Sequence, residues 1–66
     1  MLYLVTTNNT WTNEPTTVDA VVAKGFTVAP SRRFGNFQIF RNGVMLGWLF
    51  ASQAEQVAFL QSKGLI

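Results

Sequence analysis

Asn42-Gly43 stands between two apolar, β-forming runs, and it limits the folding of this chain more tightly than anything else in it. A two-residue hairpin loop whose twist matches its strands needs positive φ at both central positions, which Asn and Gly tolerate. The loop length then sets which residues face each other. It pairs Arg41 with Val44, Phe40 with Met45, Ile39 with Leu46, Gln38 with Gly47 and Phe37 with Trp48. Neighbours along a strand point to opposite faces. One face of the hairpin over residues 34–50 therefore carries Phe37, Ile39, Val44, Leu46, Trp48 and Phe50. The other carries Asn36, Gln38, Phe40, Met45, Gly47 and Leu49. The first set is almost wholly apolar and is expected in the core; the second is mixed and is expected to stay open. Gly35 and Gly47 fall inside the strands, where glycine signals a bulge or the close approach of another chain.

The remaining elements have local signatures of their own. Met1 to Val5 is a continuous apolar run that ends in the polar cluster Thr6-Thr7-Asn8-Asn9-Thr10, so a strand gives way to a loop. Pro15, the threonines at 16 and 17 and Asp19 make a helix start, and Val18, Val21 and Val22 share one helical face. Lys24-Gly25 closes that short helix, which spans about residues 16–24. Phe26 to Ala29 forms a short strand that Pro30 ends, and residues 31–33 are a polar connection. Ser52-Gln53-Ala54-Glu55 is a capping box opening a last helix. Ala54, Val57, Ala58 and Leu60 lie on its apolar side, Phe59 sits off the stripe, and Gly64 stops it.

The element order is β-α-β-β-β-α. The strand–helix–strand start favours a right-handed parallel crossover. Two short helices do not cover both faces of such a sheet, so both are expected on the face carrying Trp48 and Phe37. The fold class is α+β: a two-layer sandwich with a small mixed sheet and two short helices on one face, a single domain over residues 1–66. The sequence leaves open whether the first strand neighbours the second or the fourth.

Composition argues mostly by exclusion. The chain has no histidine and no cysteine, and its carboxylates are three: Glu14, Asp19 and Glu55. Asp19 and Glu55 sit in first helical turns, where the helix dipole already explains them. No two carboxylates are close in sequence, and no base stands ready for a nucleophile. No metal ligand set, no phosphate-binding glycine pattern and no cofactor motif is visible. The expectation is a protein that is not an enzyme and holds no cofactor. No targeting signal is recognisable, and the longest apolar stretch, residues 44–51, is far below the ~20 residues of a membrane helix. A cytoplasmic protein without membrane contact is expected, of the size of small accessory proteins of phages and other mobile elements.

Only 12% of residues are charged, against about 25% in an ordinary domain. So small a core is marginal by itself, and disulfides are unavailable, so apolar residues are expected to face a protein partner or a second copy. Aromatic residues, Met and Arg are enriched in interface cores. The candidate partner-binding set is therefore Phe40, Arg41, Met45 and Leu49 on the open face of the hairpin. The alternative is nucleic-acid binding. Between Phe26 and Ala54 every charge is an arginine, Arg32, Arg33 or Arg41. A two-stranded ribbon enters a major groove and Phe40 could stack on a base. Three arginines are few for that task, because phosphate neutralisation usually takes a strongly basic face.

Overall fold

A computed structural model describes residues 1–31 and 36–66 of the chain. Four strands and two helices follow in the expected order: β1 (Tyr3–Thr6), α1 (Val18–Ala23), β2 (Thr27–Pro30), β3 (Phe37–Arg41), β4 (Val44–Phe50) and α2 (Gln53–Ser62). The local signals decide these elements. Asn42 and Gly43 take φ of 54° and 78°, the tight hairpin turn that their identity favours. The Thr17 hydroxyl accepts from the Ala20 amide at the start of α1, and the Ser52 hydroxyl from the Glu55 amide at the start of α2. Each cap satisfies one of the amides a helix end leaves without a partner.

The sheet order is β1-β4-β3-β2, and every neighbouring pair is antiparallel. The fold is α+β as expected. The sheet is not mixed, however, and β1 and β2 are not a parallel crossover pair; they are its two edges. The reason lies in residues 7–16. After β1 the chain turns back, with the Thr6 amide donating to the Thr10 carbonyl at 2.7 Å. It then runs antiparallel beside β1, bridging Val5 to Trp11 and Leu2 to Thr16. Leu2 and Thr16 exchange two backbone hydrogen bonds, of 2.8 and 2.7 Å. The strap has thus already reversed direction before α1 begins, so α1 delivers β2 pointing opposite to β1.

The hairpin register follows the expected pairing for two steps and then departs from it. Arg41 faces Val44 and Phe40 faces Met45, but Ile39 faces Gly47, Gln38 faces Trp48 and Phe37 faces Leu49. Leu46 is the extra residue of a β-bulge. The bulge lies where β4 meets β1. The Leu46 carbonyl accepts from the Thr7 amide at 3.0 Å and from its hydroxyl. Gly47 stands opposite Thr6, and a Cβ there would lie 2.5 Å from the Val5 carbonyl oxygen and 3.0 Å from the Thr6 Cα. Only glycine fits that approach.

One extra residue exchanges the faces of everything beyond it. Trp48 and Phe50 share a face with Val5, Gln38, Phe40 and Met45; Leu49 shares the other with Leu4, Phe37 and Ile39. Each face then has its own core. Val5, Phe50 and Leu60 of α2 form one, with Trp11, Trp48, Phe59 and Leu65 packed around them. Val21 of α1, Ile39 and Leu49 form the other, joined by Leu2, Leu4, Phe26, Val28, Phe37 and Leu46. The two helices therefore lie on opposite faces, not together on the Trp48 face. Neither covers a whole face: α2 packs over β1 and β4, while α1 contacts β2.

The buried side of α2 also differs from the apolar stripe. Ala54 and Ala58 are exposed, whereas Gln56 is fully buried beside Leu60. The Gln56 amide nitrogen donates to the carbonyls of Leu4 and Thr12, at 2.9 and 3.0 Å. It binds α2, β1 and the strap together. Phe59 reaches inward, its ring centre 4.9 Å from that of Trp48 and 5.0 Å from that of Phe50.

Candidate functional site

Among the described residues, a bare half of the sheet and a groove beside α1 are candidate places for a partner. The bare half follows from the bulge and the strap together. On the Trp48 face α2 stops at β4, so among the described residues the β2–β3 half has no helix above it. Two cross-strand rows lie there: Thr27, Phe40 and Met45, and beside it Ala29 and Gln38, which continues into Trp48. Phe40, Met45, Gln38 and Ala29 are half-buried and Thr27 is exposed. The aromatic ring and the thioether are held side by side by the two hairpin pairs that the turn itself specifies. No charged side chain stands in either row.

Two of the four residues expected at a docking surface do not belong to it. Leu49 has 0% of its surface exposed and lies in the α1 core, because the bulge turns it to the opposite face. Arg41 stays exposed, but on that same opposite face, where it is held within the chain. Its guanidinium lies 4.2 Å from the centre of the Phe26 ring and donates to the Lys24 carbonyl at 2.9 Å. That carbonyl sits at the C-terminal end of α1, where a cation meets the negative end of the helix dipole. The hydrogen bond and the cation–π contact give Arg41 a structural role. Arg32 and Arg33, the other members of the basic set, lie outside the described residues. The Thr6–Asn13 loop does not cover Phe40, since its Trp11 packs with Val5 and α2 at the far edge.

The groove, of about 410 Å³, lies between α1, the strap and the α1 face of the sheet. Leu4, Val21, Phe26, Ile39 and Leu46 form its floor, and Glu14 and Lys24 are the charged residues among its lining. It is wide enough for a small molecule by volume. Its polar lining is otherwise threonine and asparagine, and neither of the buried polar residues among the described ones, Asn36 and Gln56, lines it. Among the described residues no three potential metal ligands cluster, and no helix is long and apolar enough to cross a membrane. Compared with known protein families, curated proteins and solved structures, the chain matches none.

The sequence named Phe40 and Met45 correctly as neighbours, because the turn couples them directly. It also placed Gln38 on their face, without counting it among the contact residues, and it missed Thr27 and Ala29. A signal was present: Thr27-Val28-Ala29 has small side chains and no charge, the composition of a strand that another surface could approach.

Proposed function

We propose that the protein is a non-enzymatic binding module that acts by protein–protein contact through the bare half of its sheet. Phe40 and Met45 supply the apolar centre of the contact, with Gln38 as its polar member and Thr27 and Ala29 giving close approach. The observation that carries this reading is the Phe40–Met45 pair, half-exposed on a part of the sheet that neither helix reaches. Aromatic and methionine side chains on a charge-free surface resemble the centres of protein interfaces. The scattered carboxylates and the lack of histidine and cysteine give the reading its non-enzymatic part. The arginines support a nucleic-acid role less well, since Arg41 is already committed to Phe26 and the end of α1.

Phe40→Asp tests this reading. Binding to a protein partner, or association with a second copy, is expected to be lost while the circular dichroism spectrum and cooperative melting remain. Binding that survives the substitution, or a variant that unfolds, contradicts it. A gel shift on short DNA and RNA at low salt that fades steeply with added salt would point to the nucleic-acid reading instead.

A further inference from the structure

The partner's mode of attachment is written in the outer edge of β2. We propose that β2 pairs antiparallel with β2 of a second copy, joining two four-stranded sheets into one continuous sheet. This deepens the reading above, from which it takes the bare face beside the strand.

The two edges of the sheet are not alike. The outer side of β1 is occupied by the chain's own strap through Trp11 and Thr16. Among the described residues, β2 pairs with β3 alone. Edge strands are usually protected by shortness, proline, charge, bulges or a covering segment. Thr27-Val28-Ala29-Pro30 is short and ends in proline, but it carries no charge, and its pairing with β3 runs without a bulge.

The phase of the strand tells which groups point outward. Beyond the last pair of β2 and β3, the Ser31 amide donates to the Asn36 carbonyl at 2.7 Å. In an antiparallel ladder such hydrogen-bonded pairs alternate. Ser31, Ala29 and Thr27 therefore turn their main-chain groups toward β3, and Val28 and Pro30 turn theirs away. Pro30 has no amide to leave unpaired on that outer side, which is where an edge tolerates proline. Phe26, just before the strand, continues the outward phase.

These outward groups complement their own copy. A twofold axis at Val28 places Val28 against Val28 of the second copy, where the two exchange a pair of hydrogen bonds. Phe26 then faces Pro30 of the copy, and its amide donates to the proline carbonyl, twice by symmetry. Four main-chain bonds result. The missing proline amide costs the Phe26 carbonyl one partner on each side and no donor is stranded. On the open face Thr27 stands beside Ala29 of the copy, so the row through Phe40 continues into the row through Gln38 of the other molecule. The contact is short, well below the area of a standard stable interface, so the association is weak and concentration-dependent.

The test follows amide hydrogen exchange and light-scattering mass on the full chain from about 10 μM to about 1 mM, a range suited to a weak interface. The mass is expected to rise from 7.4 kDa toward twice that value. Val28 amide exchange is expected to slow at least tenfold over the series, while the Ala29 amide, already bonded within the sheet, stays protected throughout. A synthetic chain with Val28 N-methylated loses the outward donor, keeps its side chain, and is expected to stay monomeric with unchanged circular dichroism. A chain that remains monomeric at the highest concentration overturns the proposal, as does a dimer whose Val28 amide exchanges as in the monomer. Dimerisation abolished by Phe40→Asp but untouched by N-methylation would overturn the edge pairing and leave the face reading standing. The opposite pattern would support the edge and overturn the face.

Discussion

The β1 edge of the sheet and the β2 edge are finished in opposite ways. At β1 the chain folds back on itself, pins its strap through Leu2–Thr16 and Val5–Trp11, and lays α2 over the adjoining face. Gln56 then fastens helix, strand and strap at a single point. Among the described residues, β2 has neither strap nor overlying α2, and Phe40 and Met45 stay half-exposed. A chain of 66 residues has too little apolar material to close every side. On the Trp48 face it packs α2 over β1 and β4, and the β2–β3 half of that face has neither helix above it.

Substitutions of graded severity sharpen that contrast. The largest effect is expected at Gly47, where an added Cβ meets the backbone of Val5 and Thr6. Those atoms belong to a strand pinned on both sides and have little room to move. Gly47→Ala is expected to cost about 3 kcal/mol. A domain of this length has only about 3–10 kcal/mol in total, so the melting temperature should fall sharply or the cooperative transition should disappear. Urea melts of this variant that overlay the wild type would mean that β1 and β4 are not so closely apposed.

Leu60→Ala should come next, at about 2.5 kcal/mol, because it opens a cavity in the α2 core. Gln56→Met should cost about 2 kcal/mol, as the Leu4 and Thr12 carbonyls lose their shared donor. Native-state hydrogen exchange should show the loss concentrated in β1, the strap and α2, with β2 and β3 less affected. Equal loss across the whole sheet would break the contrast between the two edges. Phe40→Thr is expected to be mildest, at about 1 kcal/mol or less, since the side chain is half-exposed and threonine, being β-branched, suits a strand. A thermal shift for Phe40→Thr as large as that of Leu60→Ala would place Phe40 in a closed core and remove the proposed surface.

What the sequence disclosed and what it hid divide along the same physical line. The Asn42-Gly43 turn, the Thr17 and Ser52 caps and all six elements were legible because each depends on residues within a few positions of one another. The faces of β4 were not. They depend on the bulge at Leu46, which is stabilised by Thr7, about forty positions away in the chain, and by the approach of Val5 to Gly47. Glycine at 47 marked the place, but not the direction of the change. The inward side of α2 was hidden for a related reason. Gln56 is polar, and its burial makes sense only once the Leu4 and Thr12 carbonyls stand beside it. Of the expected docking set, Phe40 and Met45 lie on the turn side of the bulge and stayed together; Leu49 lies beyond it and changed face.

The bulge is thus the feature on which the surface depends, and side-chain proximities by nuclear Overhauser spectroscopy test it directly. Trp48 ring protons should show cross-peaks to Phe59, Leu49 methyls should show them to Val21, and Phe40 should show them to Met45 and Thr27 but to neither helix. Cross-peaks from Trp48 to Val21, with Leu49 beside Phe40, would mean an unbulged hairpin and would contradict the account.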